Sequence, residues 1–179
     1  MKKIITCLLT LSMMFMFSAT AFASDFSGNA ESELSNISDK IVTAVNDVYS
    51  DKNISITAED INYDSAFKIY VDTNVFKLST NVAGEIENAL ENGNYIYLLP
   101  IDTVNGTVVV NFQKGLPLSE NAKAILSEEE QQEVLDNAGK WVISSLALYK
   151  NGNSNYDYEK KLSSIIDEIP ADTILVGGL

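Results

Sequence analysis

Histidine and arginine are absent from this sequence. Its one cysteine, Cys7, and all four methionines, Met1, Met13, Met14 and Met16, fall in the first 16 residues. Each absence closes off chemistry. Without a cysteine pair there is no disulfide, so stability must come from packing. Without histidine, and with cysteine confined to the extreme N-terminus, zinc, copper, haem and iron–sulfur centres lose their usual ligands. Only an all-oxygen site for a hard cation such as Ca²⁺ stays open. The twelve basic residues are all lysine and face 25 acids, for a net charge of −13. Nucleic acid is excluded as a natural partner, because phosphate is repelled and no forked guanidinium exists to hold it. Anionic membrane surfaces are disfavoured for the same reason.

What is there begins with a leader. Lys2 and Lys3 precede a mostly apolar run from Ile4 to Phe17, and Ala21 and Ala23 stand in the A-x-A arrangement that signal peptidase cleaves. Residues 1–23 are therefore expected to be a secretory signal peptide. Removing its two lysines takes the charge from −13 to −15 and leaves 156 residues, enough for one domain with a real core. The mature product is expected to be secreted, with no stable membrane association. Lysine-only basicity and many asparagines fit a bacterial origin.

The remainder reads as a single α+β domain over residues 31–179, a mainly antiparallel sheet covered by helices, after a flexible lead over residues 24–30. Leu34, Ile37, Ile41, Val45 and Val48 recur at helical spacing and predict one amphipathic helix over Glu31–Ser50. Ile54–Ile56 is expected to be a short strand. From Ala66 to Asp72, Phe67, Ile69 and Val71 alternate with Lys68, Tyr70 and Asp72, as in a half-buried strand. Val75–Leu78 extends that pairing, and Asn81–Asn92 reads as a helix capped by Thr80 or Asn81 and stopped at Gly93. The apolar runs Tyr95–Ile101 and Thr107–Phe112 flank Asn105-Gly106 and predict a hairpin. Pro100 in the first run suggests an edge or bulge. Ser119–Leu126 and a helix opened by the capping box Ser127–Glu130 follow. Lys140–Tyr149 is expected as a central strand, with Trp141, Ile143, Ser145, Ala147 and Tyr149 on one face. A helix over Tyr158–Ile169 and a strand over Thr173–Val176 close the chain. The apolar end, Ile174–Leu179, calls for burial in the sheet or for continuation into a larger secreted protein.

Candidate chemistry is sparse. Ser65-Ala66-Phe67-Lys68 matches S-x-x-K, but on a strand Ser65 and Lys68 point to opposite faces. Ser119 and Lys123, four apart on a helix, read as a solvated face. Paired carboxylates cleave glycosides without histidine or cysteine, so a carboxylate-dependent hydrolase is the enzyme class the composition tolerates best. Asn151–Glu159 places oxygen ligands at alternate positions, a faint echo of a Ca²⁺ loop that lacks its sixth-position glycine and twelfth-position acid. No other cofactor is implied. Tyr95, Tyr97, Trp141 and Tyr149 are the candidate binding surface if their strand faces are exposed, and core if they are not. The expectation is a non-catalytic domain that binds a protein, peptide or glycan at or near the cell surface.

Overall fold

The computed structural model describes residues 26–72, 83–170 and 173–177. The expected signal peptide, the Val75–Leu78 extension and the caps at Thr80 and Asn81 lie outside those residues. The described chain is a mixed α+β domain built on a five-stranded sheet of order β4-β3-β2-β1-β5. The strands are β1 (Phe67–Val71), β2 (Asn94–Thr103), β3 (Gly106–Lys114), β4 (Trp141–Tyr149) and β5 (Leu175–Val176). Neighbours pair antiparallel except β1 and β5, which run parallel.

One sheet face is covered by the N-terminal segment. Here α1 (Ala30–Leu34) buries Ala30 and Leu34, and α2 (Ser38–Tyr49) buries Ile41, Val45 and Tyr49 at intervals of four. The single helix expected over Glu31–Ser50 is interrupted by a 3₁₀ turn at Ser35–Ile37. Beyond Val45 the core position falls to Tyr49, and Val48, expected inside, is 55% exposed. The residue four positions on, not three, stays over the sheet. Leu34, Ile41, Val45, Tyr97, Leu99, Ile101, Val108, Val110 and Phe112 then form one continuous core.

Ile54 and Ile56 enter this core without pairing as a strand. The Asn46 side chain takes the place of a ladder: its Oδ1 accepts from the Ile56 N–H (2.8 Å) and its amide donates to the Ile56 carbonyl (3.0 Å). The expected flexible lead is docked from its third residue, since Phe26 packs on the Phe67 ring and its carbonyl accepts from the Lys68 N–H at 2.7 Å.

The opposite face is thinner. Phe26, Phe67 and Ile69 cluster there with Ile96, Leu98, Leu162, Ile169 and Leu175. Helix α6 spans only Tyr158–Ser163, so Ile165 and Ile166, expected in its apolar stripe, lie exposed. Between β1 and β2, α3 runs over Ala83–Glu91; beyond β3, α4 (Glu120–Ile125) and α5 (Glu128–Asn137) are capped by Ser119 and by the Ser127–Glu130 box. That box holds the Glu130 carboxyl below the usual range through the Ser127 N–H and hydroxyl.

The hairpin of β2 and β3 forms, but its turn is Val104-Asn105, neither with positive φ; Gly106 already pairs with Thr103. Thr103 closes the turn, its hydroxyl donating to the Gly106 carbonyl at 2.6 Å. Gly106 is glycine for a different reason. At φ +138° a Cβ would stand 2.2 Å from the Tyr149 carbonyl oxygen of β4. Pro100 sits in an interior strand, past the end of β1, where Ser65 in place of a strand neighbour donates to its carbonyl at 3.2 Å.

Strand β4 is an edge, not the centre. Phe112 pairs with Ile143 and Asn111 with Ser145, which leaves Ser144 as an extra, bulged residue. The bulge resets the alternation. Trp141, Ile143, Leu146 and Leu148 face the core, whereas Tyr149 faces away and packs on Tyr156 at 5.1 Å. Trp141 and Tyr149 therefore do not share a face. The two-sided apolarity that suggested a central strand comes from a core on one side and the Tyr156 loop on the other.

Candidate functional site

Three neutral donors from two strands converge on one carboxylate. Helix α1 carries Glu33 beside its buried Leu34, above the start of β2. Tyr95 and Tyr97, two apart on β2, project from the same face, and Trp141 opens β4 two strands away. The Tyr95 hydroxyl donates to Glu33 Oε1 (3.0 Å) and Oε2 (2.9 Å), the Tyr97 hydroxyl to Oε1 (3.2 Å) and Trp141 Nε1 to Oε2 (2.9 Å). The rings pack on one another, with centroids 5.7 Å apart for Tyr95 and Tyr97, 5.5 Å for Tyr95 and Trp141, and 5.1 Å for Tyr97 and Trp141. Burial, reinforced by the Glu33 charge, pushes the Tyr95 hydroxyl up to about 12 and raises Tyr97 as well.

Lysines frame this cluster. Lys68 Nζ lies 3.9 Å from the Tyr95 ring centroid, and Lys114 Nζ lies 5.2 Å from that of Trp141 and 5.6 Å from that of Tyr95. These are cation–π distances. Outside Glu33 and Trp141 opens a cleft of about 380 Å³, lined also by Asn36, Lys40, Lys114, Asn137 and Lys140. A second cleft of about 460 Å³ flanks the other side of Lys114 and Tyr95, with Asp72 at its rim.

The residues singled out from sequence separate into two groups. Tyr95, Tyr97 and Trp141 come together, though as a hydrogen-bonded cluster instead of an exposed strip: Tyr97 is 0% exposed, while Tyr95 and Trp141 are half-buried. Tyr149 stands apart on the other face. Ser65 and Lys68 do not meet, because the Ser65 hydroxyl bonds Asn62 and Pro100 carbonyls while Lys68 packs on Tyr95. Ser119 caps α4, and Lys123 pairs with Glu120 at 2.7 Å.

In the loop considered for Ca²⁺, Asn151 bonds the Val104 carbonyl, Asn153 bonds the Asn155 N–H, Asp157 caps α6, and the Lys161 ammonium donates to the Asn155 carbonyl. Among the described residues no group of three or more acidic side chains is placed to hold a metal. Asp102, Asp157 and Glu159 line a cleft of about 210 Å³ with Ser65 and Tyr156. There Asp102 is engaged by the Thr107 hydroxyl at 2.7 Å, Asp157 by its cap, and Glu159 lies exposed.

Glu33 belongs to no motif and stands in the sequence as one of 25 acids, inside the helix expected over Glu31–Ser50. Its signal was present: it falls three after Ala30 and one before Leu34, on the flank of the apolar stripe, where a carboxylate needs donors. Among the acids whose exposure the structure describes, Glu33 and Asp157 are the ones that are not exposed. The Glu33 carboxylate is saturated by donors and suited to fixing geometry. Among the described residues no helix is long and apolar enough to cross a membrane. Comparison with protein-family models, with curated proteins and with solved structures finds no match to this chain.

Proposed function

We propose that the chain is an exported, non-catalytic domain that binds a protein, peptide or glycan ligand at or near the cell surface, through the cleft beside Trp141. The observation that carries this reading is the preorganised wall of that cleft. Trp141 is half-buried, its Nε1 anchored on Glu33 at 2.9 Å, its ring wedged against Tyr95 and Tyr97. A fixed aromatic beside an open cleft offers contact area at little cost in conformational entropy. Glu33 itself is poorly suited to acid–base work, because both its oxygens already accept from tyrosine and tryptophan.

The only tryptophan of the chain is thus the reporter of the cleft. Intrinsic fluorescence of the purified chain, titrated with peptide and oligosaccharide libraries, is expected to shift saturably with a ligand and not with its non-binding isomers. Parallel assays for released reducing ends or new amino termini are expected to stay at background. Turnover of any ligand, with loss of that turnover on substituting Asp102, Asp157 or Glu159, would replace binding by carboxylate hydrolysis.

A further inference from the structure

The charge of the cleft runs against the charge of the chain. At −13 the protein has few cations to place, yet Lys40, Lys114 and Lys140 line this one cleft, against the single carboxylate of Glu33. Three other clefts are lined instead by Asp60 and Asp102, by Asp72 with Lys114, and by Asp102, Asp157 and Glu159. The Glu33 charge is spread over three donors, so it opposes an incoming anion less than a free carboxylate does. Lys40 and Lys140 are exposed and have no ion pair among the described residues, although the chain has 25 acids.

The two kinds of anionic chain fit this wall differently. A sugar ring stacks on an open aromatic face, and Lys114 lies over Trp141 while Lys68 and Lys114 both lie over Tyr95. A peptide needs donors and acceptors for its backbone and cations for its side chains. The Asn36 and Asn137 amides offer both donor and acceptor, and the lysines supply mobile point charges.

We infer that this cleft takes an acidic peptide segment, its carboxylates held by Lys40, Lys114 and Lys140 and its backbone lying along Asn36, Asn137 and Trp141. The inference rests on the binding reading above and adds the ligand class. Outside this cleft the chain carries 24 acids (25 less Glu33) against nine lysines (12 less three), a balance that disfavours such a segment, so selection operates within a Debye length of the cleft lysines, about 8–10 Å near physiological salt.

The test is calorimetry together with Trp141 fluorescence on the full purified chain, using a glutamate-rich peptide, a neutral peptide of equal length, an oligogalacturonate and inorganic phosphate. Circular dichroism checks that the Lys40→Gln/Lys140→Gln double variant is folded. The glutamate-rich peptide is expected to bind saturably, and the double variant to bind it about fivefold more weakly or worse. Equal affinity for the neutral peptide would overturn the charge assignment and leave the binding reading standing. Equal or tighter binding of oligogalacturonate or phosphate would overturn the peptide assignment. Silence of both methods to the glutamate-rich peptide at millimolar concentration would overturn the inference, and silence to the wider ligand libraries as well would remove the reading beneath it.

Discussion

Replacing Glu33 by alanine is expected to destabilise the fold by about 2–5 kcal/mol, and the sum is built from the burial of its three donors. Tyr97 is fully buried and finds its acceptor in Glu33 Oε1 at 3.2 Å. Losing a charged acceptor there costs about 1.5–3 kcal/mol, because no water reaches the hydroxyl. Tyr95 and Trp141 are half-buried, and water replaces part of what they lose, so each contributes about 0.5–1 kcal/mol. Alanine's higher helix propensity in α1 returns a few tenths of a kcal/mol. Urea unfolding followed by Trp141 emission and far-ultraviolet dichroism measures the total. Glu33→Gln, which keeps one carbonyl acceptor, is expected to lose less than half as much. A double-mutant cycle of Glu33→Ala with Tyr97→Phe is expected to show coupling of at least about 1 kcal/mol. A Glu33→Ala loss under about 1 kcal/mol with an unchanged urea slope, or a cycle without coupling, would refute the claim that this carboxylate organises the aromatic cluster.

The raised tyrosines give an alkaline signature. Their folded pKa lies above the unfolded value near 10, so their contribution is complete below pH 10 and disappears as pH rises towards about 12; ultraviolet titration is expected to show Tyr95 and Tyr97 ionising late, together with loss of the fold. Two glycines with positive φ separate strain from collision. Gly106→Ala puts a Cβ 2.2 Å from a β4 carbonyl and is expected to cost about 2–4 kcal/mol in chemical denaturation, whereas Gly139→Ala, with open space around it, costs about 1–2 kcal/mol. Asn46→Ala removes both bonds to Ile56 and is expected to cost about 1–3 kcal/mol, with faster amide exchange at Ile56 as the local check.

Local rules carried much of the fold. The Ser127–Glu130 box, the alternation of Phe67, Ile69 and Val71, and the β2–β3 hairpin were legible because each depends on residues within a few positions of one another. The Thr57–Asp60 capping box was equally local and went unread, since its 3₁₀ turn precedes no apolar run. The misreadings share a cause. The extra residue at Ser144 is set by pairing with β3, and without it the pattern from Trp141 to Tyr149 counts off on the wrong face. Tyr149 therefore looked like a partner of Trp141. Val48 and Tyr49 are both apolar at plausible spacings, and only the sheet beneath them decides between them. The site was half legible: Tyr95, Tyr97 and Trp141 stood out as aromatic strand residues, while Glu33 was hidden among 25 acids because its donors are 62, 64 and 108 residues away.

That last separation gives the Glu33 cluster a history as well as a geometry. A ribosome adding about 5–20 residues per second needs about 5–20 s to make the 108 residues between Glu33 and Trp141. Throughout that interval the chain lacks the last of the three donors to Glu33, and only Tyr95 and Tyr97, 62 and 64 residues on, have been made. Closing so long a loop is entropically costly and comes late. The cluster is therefore complete only when edge strand β4 has been made, and a chain that ends before residue 141 lacks the Trp141 donor that ties its opening helix to that edge of the sheet.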